Sequence, residues 1–228
     1  MLLTIPNVLS SDEVIQIRDY LDKADWQEGT NTAGSIARNV KQNHQLDDTK
    51  EPAISLGNHL LRALSQHPAF ISAALPDKIY PPKFNRYKES ETYGAHVDGS
   101  LMQLPNSHKT LRTDLSATLF LADPDEYEGG ELTIATQYGT QSVKLAAGDL
   151  VLYPSTSLHQ VAPVTKGTRL ASFFWIQSMV RDSQQREILF ELDQSVQRLT
   201  GELGANHHDV VHLSGIYHNL IRQWAQPS

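Results

Sequence analysis

Apolar and polar positions follow two different periods along this chain, and the period changes near residues 76 and 181. "LLTIPNVL" predicts an edge strand, where the N–H that Pro6 lacks is not needed for a ladder. Ser10 or Ser11 then caps a helix reaching about Lys23, with Asp12 and Glu13 in its first turn and Val14, Ile17 and Leu21 on one stripe. Gly29 to Thr49 is polar and reads as loop with a short strand. "PAISLGNHLLRAL", Pro52 to about Leu64, predicts a second helix with Pro52 at its first position. Beyond Pro76 the runs shorten: "KFNRY", "TDLSATLFLA", "GELTIAT", "QSVKLAAGDLVLYP" and "RLASFFWIQSMV", with turn signals at "DPDEYEGG", "AAGD" and "TKGT". Many short strands with turn-rich connections predict a β-sandwich or barrel of jelly-roll type. The acidic "DPDEYEGGEL" lacks the oxygen spacing of a calcium loop and reads as a solvated connection. Helical spacing returns after Arg181 through Ile188, Leu192, Val196 and Leu199, and again through Val210, Leu213, Tyr217, Leu220 and Trp224. Those apolar faces suit packing on the barrel or on a second subunit, the latter making a homo-oligomer. The expected organisation is a strand and helices supporting the core (1–75), a β core (76–180) and a C-terminal helical region (181–228).

Composition narrows the function. Of 228 residues 39% are hydrophobic and the formal net charge is −7, which argues against nucleic acid or an anionic membrane as a partner. There is no cysteine, so thiolate metal sites, disulfides and cysteine nucleophiles are excluded, and His, Asp and Glu remain as metal ligands. "MLLTIPNVLSSDEV" has no basic n-region and no apolar run approaches membrane-spanning length, so a cytoplasmic enzyme is expected.

Two stretches compete for a metal. "HDVVHLSGIYH" sets His208, His212 and His218 at the spacing of a metzincin helix, the mark of a zinc metallopeptidase. Asp209 stands where the general-base Glu belongs and is one methylene short, and no Met-turn follows His218. A polar helix face carrying histidines is the preferred reading. The second stretch is "YGAHVDGS". His-x-Asp occurs at 96–98 and at 207–209, but residues i and i+2 share a face only in a strand, so His96 and Asp98 are the pair that can meet one ion.

His159, in "LYPSTSLHQVAPV", is the candidate third ligand. Two imidazoles and one carboxylate leave adjacent coordination positions open, as non-haem Fe(II) oxygen chemistry requires. Arg169 follows ten residues later. With the Gly167 turn making "HQVAPV" and "RLASFFWIQ" neighbouring strands, its guanidinium would point into the barrel. A buried Arg calls for an anion, and a dicarboxylate co-substrate supplies one bidentately. Tyr87 is placed to donate its hydroxyl to the same carboxylate, Tyr93 lies nearer the metal ligands, and Trp175 shares the strand face of Arg169. Each of these residues alone has an ordinary use in a core, a turn or a surface. Only the joint pattern carries the reading.

With those residues in place, "RYKESETYGAHVDGS", "YEGGELTI", "AAGDLVLYPSTSLHQVAPVTKGTR" and "ASFFWIQS" resemble the Fe(II)/2-oxoglutarate dioxygenases. Among these the chain is most similar to the bacterial PKHD-type hydroxylases of the prolyl 4-hydroxylase-like branch. The resemblance covers about Pro81 to Met179, and "YHNLIRQWA" extends it into the helical tail. It implies a double-stranded β-helix (jelly-roll) core at 76–180, mainly β with flanking helices. It also implies His96, Asp98 and His159 as iron ligands and Arg169 on the distal carboxylate of 2-oxoglutarate, where prolyl hydroxylases use Lys. Tyr87 is implied as a hydrogen-bonding partner of that carboxylate, and L-ascorbate as reductant. The reaction implied is hydroxylation of a small molecule or protein side chain by O2, with oxidative decarboxylation of 2-oxoglutarate to succinate and CO2. A non-catalytic β-barrel that senses iron or a dicarboxylate is the remaining alternative.

Overall fold

The first helix begins at Ser10 for a local reason. Its hydroxyl accepts from the Glu13 N–H while the Glu13 carboxylate accepts from the Ser10 N–H, so two otherwise orphaned donors are satisfied reciprocally. α1 (Ser11–Leu21) then buries Val14, Ile17 and Leu21, each contributing roughly 1.5–3 kcal/mol on burial. α2 (Ala53–Gln66) starts one residue later than expected, with Pro52 as the N-cap residue, and buries Leu56, Leu60 and Leu64 against the core. α3 (Pro68–Ala74) is a short helix that the polar and apolar pattern does not announce. The computed structural model describes residues 1–29, 40–105 and 107–227. The part of the expected polar loop at 30–39 therefore lies outside the described residues, while its later part forms two short strands.

Two antiparallel sheets make the centre. The larger runs in the spatial order β1 (Leu3–Ile5), β14 (Leu150–Pro154), β10 (Leu115–Phe120), β17 (Arg169–Ser178), β6 (Lys83–Tyr87), β4 (His44–Leu46) and β2 (Trp26–Glu28), with β5 (Pro76–Ile79) also pairing β17. The smaller runs β13 (Gly139–Val143), β12 (Leu132–Thr136), β15 (His159–Val161), β7 (Thr92–His96) and β3 (Lys41–Gln42). Two ribbons complete it: β11 (Tyr127–Gly129) with β16 (Val164–Gly167), and β8 (Leu101–Gln103) with β9 (Thr110–Arg112). β10 is buried at every position and β17 at nearly every one. Both faces of the larger sheet are covered at its centre, which is why those strands read as almost continuous apolar runs. This is the jelly-roll architecture that the strand spacing predicts.

Three expectations need correction. "HQVAPV" and "RLASFFWIQ" are not neighbouring strands: β15 lies in the smaller sheet and β17 in the larger, with β16 between them in a ribbon of its own. His159 and Arg169 therefore face one cavity from different walls. The acidic connection is solvated only in part, because Tyr127 within it is 3% exposed. The stripe on the first tail helix holds at the part-buried Leu192, Val196 and Leu199 and departs only at its first position. In α4 (Ser183–Leu203) Leu189 is buried and Ile188 is half-exposed, because α4 packs on α3 and on α5 (His208–Trp224). Leu75, Val180 and Leu189 form that contact with Tyr217, Leu220, Ile221 and Trp224. Among the described residues no helix is long and apolar enough to cross a membrane.

Gly148, in the "AAGD" turn, has φ +97°, and a Cβ there would stand 2.5 Å from the Leu9 carbonyl oxygen. Gly148→Ala is expected to cost roughly 1–3 kcal/mol from the forced left-handed backbone alone. Urea unfolding checks it, as a lower midpoint with an unchanged m value.

Candidate metal and anion site

Strand register builds the site. β15 pairs with β7 so that His159 lies directly opposite His96, and opposed residues of an antiparallel pair present neighbouring side chains on one face. The two ring centroids are 4.2 Å apart. Asp98 follows the end of β7 and turns back, with Oδ1 3.9 Å from His96 Nε2 and Oδ2 3.8 Å from His159 Nε2. The ligand atoms of these three residues lie within 4.8 Å of one another, and among the described residues they form the one such group.

Each imidazole is held from behind. Nδ1–H of His96 donates to the Gly94 carbonyl at 2.8 Å, and Nδ1–H of His159 to the Ser157 carbonyl at 3.0 Å. A carbonyl only accepts, so Nδ1 carries a proton in both rings and Nε2 is the atom each turns toward an ion. Burial, with the charge of His159 second, lowers His96 to about 4, which keeps it in the neutral, ligating form at neutral pH. Asp98 is oriented as well. The Ser116 hydroxyl donates to its Oδ2 at 2.6 Å, and Ser116 has only one hydrogen, so Ser155 must donate to Ser116 across their 2.7 Å contact. The Tyr93 ring stacks on His96 at 3.6 Å.

Arg169 occupies another end of the same cavity. It is 1% exposed, opposite Tyr87 in the β6–β17 pairing, with its guanidinium 5.3 Å from the ring centroids of both Tyr87 and Phe120. Nε and Nη1 have no hydrogen-bond partner among the described residues. A buried cation with open donors is costly alone and fits an incoming carboxylate. Burial pushes the Tyr87 phenol up to about 12 against the lowering effect of Arg169, so it remains protonated and able to donate. Tyr127 lies close enough to feel the Arg169 charge but makes no hydrogen bond of normal geometry among the described residues. Gly130 has φ +68°, and a Cβ on it would come within 3.2 Å of Arg169 Cδ, so its bareness lets the arginine stem pass.

His96, Asp98, His159, Arg169, Tyr87, Tyr93 and Trp175 therefore all line one cavity. Among the described residues the zinc-helix histidines do not gather into a metal-binding trio, although the His208 and His212 rings face each other with centroids 6.2 Å apart. His208, His212 and His218 are exposed, and His207 caps α5 by accepting from the Asp209 N–H. Sequence reasoning missed Ser116, Tyr127, Gly130 and Lys41. Ser116 did leave a signal, since it and Thr118 are the polar alternates in "LSATLF". Lys41 is 4% exposed, with Nζ 5.1 Å from the Tyr93 ring centroid and 5.8 Å from that of Phe173. Burial pulls its ammonium down to about 7, helped by Lys83 and opposed by Asp98.

Comparison with known proteins agrees with this chemistry. Residues 82–177 match the family model of the 2OG-Fe(II) oxygenase superfamily, and residues 183–226 that of the PKHD-type hydroxylase C-terminal domain. A PKHD-type hydroxylase of Acidovorax ebreus (strain TPSY) is 58% identical over 227 residues, covering 100% of each chain. Among solved structures, the non-heme alpha ketoglutarate dependent carbocyclase SnoK from nogalamycin biosynthesis superposes with a TM-score of 0.55 at 19% identity, over 78% of this chain and 80% of its own. HygX from Streptomyces hygroscopicus, solved with nickel, 2-oxoglutarate and hygromycin B bound, gives 0.52 at 16% identity, over 76% and 81%. At those identities the two structures speak for the fold alone.

An ion held by the trio depends on the Ser116 hydrogen bond to keep Asp98 turned inward. Ser116→Ala is expected to weaken Fe(II) affinity roughly tenfold or more, the usual effect of losing an outer-shell partner, in an anaerobic metal titration.

Proposed function

The chain belongs to the PKHD-type hydroxylases of the 2OG-Fe(II) oxygenase superfamily, and from that premise we propose that His96, Asp98 and His159 hold its iron while Arg169, with Tyr87 beside it, receives the distal carboxylate of 2-oxoglutarate. Its reaction is an Fe(II)- and 2-oxoglutarate-dependent hydroxylation, in which 2-oxoglutarate is oxidatively decarboxylated to succinate and CO2. The residue assignment is supported by one observation above all. Three metal-donor atoms within 4.8 Å share a cavity with a buried arginine that has two open donors.

When bound, the iron and 2-oxoglutarate would activate O2, which is the oxidant, one oxygen atom going to succinate and the other to the hydroxyl formed at an unactivated C–H bond. The residues of the chain position and shield. The Gly94 and Ser157 carbonyls accept from Nδ1–H of the two imidazoles and so aim each Nε2 at the ion's place. Ser116 and Ser155 hold the carboxylate of Asp98 in place. Arg169 fixes one end of the co-substrate from the base of the larger sheet, and Tyr87 adds a protonated hydroxyl nearby. Leu132, Val161 and Phe174 give the cavity apolar walls, which keep water from competing for the oxidising equivalent.

The same proposal includes L-ascorbate as reductant, a small-molecule or protein side-chain substrate, and a cytoplasmic setting without nucleic-acid or membrane partners. The acidic balance, the lack of any membrane-crossing helix among the described residues and the family resemblance support these points. It also divides the chain at 1–75, 76–180 and 181–228, and assigns homo-oligomer contacts to the C-terminal helices. Ile188, Leu203, Val211 and Ile216 there stay at least 39% exposed after the tail has packed on α3, which leaves apolar surface for a second copy.

Anaerobic titration of the apoprotein with Fe(II) and 2-oxoglutarate should produce the metal-to-ligand charge-transfer band of the chelate. His96→Ala should abolish it, Arg169→Ala should raise the 2-oxoglutarate concentration needed by on the order of a hundredfold, and His212→Ala should change neither. No band in folded, iron-loaded wild type would end the assignment.

A further inference from the structure

One polar side chain on the cavity wall is left without a use by the metal trio and by the grip on the distal carboxylate. Asn85 lies in the middle of β6, is 7% exposed and lines the same cavity as Arg169 and the trio. Oδ1 of its amide has no hydrogen-bond partner among the described residues. A strand interior disfavours asparagine, and burying an amide unpaired forfeits its hydration, so packing alone does not account for it. Alternation turns Tyr87 and Asn85 to the cavity and sends Arg86 the other way, its guanidinium 4.6 Å from the Trp26 ring centroid. Register then sets its depth. Across the β6–β17 pairing Tyr87 is opposite Arg169, and Asn85 is opposite Ala171. Further along β17, Trp175 is opposite Ser116, whose hydroxyl holds Asp98. Asn85 thus stands one rung on from the arginine toward the metal ligands, roughly 7 Å at about 3.3 Å per residue.

A dicarboxylate gripped at Arg169 and aimed at the trio runs past that rung. 2-Oxoglutarate carries only acceptors, all at its two ends, and its distal end is taken up by Arg169 with Tyr87. A planar amide turns either end forward by a half-turn about its last bond, so Asn85 can offer its N–H to an acceptor. We infer that Asn85 is a further co-substrate contact, its Nδ2–H donating to an oxygen at the metal-facing end of 2-oxoglutarate. This deepens the proposed function and rests on it. Arg169 sets how far the molecule enters. Asn85 sets how its chelating end is turned about the long axis, a rotation that a grip at one end leaves free.

The test is the anaerobic titration with Fe(II) and 2-oxoglutarate in wild type, Asn85→Leu and Asn85→Ala, with each protein's thermal midpoint taken before co-substrate is added. Leucine keeps the volume and removes the donor. Alanine removes both and asks less of the fold, so it carries the test if the leucine protein does not fold. Both variants should need roughly tenfold more 2-oxoglutarate, the worth of one hydrogen bond to a charged group. Both should also move the maximum of the charge-transfer band, because the lost contact is on the chelating end. Arg169→Ala should instead raise the requirement with the maximum in place. A wild-type requirement in either folded variant overturns the inference, since the amide then either misses the co-substrate or matters only through its volume. A raised requirement with an unmoved maximum puts the contact away from the chelating end and overturns it too. If wild type forms no band at all, the parent assignment falls and this falls with it.

Discussion

The antiparallel register of β15 against β7 is what everything at the site depends on. Because side chains alternate along a strand, a slip of one residue would carry His159 to the opposite face of the smaller sheet from His96. Asp98 could not then close the trio. Both strands are short, so register has to be pinned by more than their own ladder. β12 fixes the other side of β15, pairing Ile134 with His159 and Leu132 with Val161. The Thr92 hydroxyl donates to the Val161 carbonyl at 2.7 Å, tying the far end where the pairing is irregular. The same β7 carries β3 on its outer edge, so one register also delivers Lys41 opposite Tyr93.

Charge in the cavity is arranged to be incomplete. Burial holds the His96 imidazole neutral, carbonyl partners orient both rings, one carboxylate is steadied by a serine pair, and the arginine is walled by rings that cannot neutralise it. Hydrophobic neighbours alone could have filled this space more cheaply. A polar interior with open valences is stable only if the surrounding sheets are rigid enough not to collapse onto it. Burial of β10 and β17 on both faces supplies that rigidity.

Local order was legible in the sequence, and long-range order much less so. A cap at Ser10 or Ser11, the stripe of α1, the β texture after Pro76 and the two tail helices follow from neighbours within a few positions, where period and propensity act. The i, i+2 argument picked the pair that meets His159, although Asp98 lies beyond the end of β7 and His207 caps α5 rather than lying within it, so the shared strand face was not the reason. Which strands pair is decided by contacts far apart in sequence. A hairpin through Gly167 was therefore a reasonable expectation, although β15 and β17 lie in different sheets. Lys41 and Tyr127 were unreadable for another reason. Each stands in a polar stretch, and a polar residue buried by distant strands has the same letters around it as one in water. Ser116 was half visible, since a serine at an inward position of an otherwise apolar strand needs a partner.

The depth of Arg169 has a metabolic consequence. In its proposed role it grips the one carboxylate that decarboxylation leaves untouched, so spent succinate keeps the same handle as fresh 2-oxoglutarate. Discrimination between them would fall to the ion the trio is proposed to hold, since only the keto acid offers it a keto oxygen beside a carboxylate. Occupancy of the site would then follow the ratio of the two dicarboxylates rather than the level of either, and turnover would slow wherever succinate accumulates.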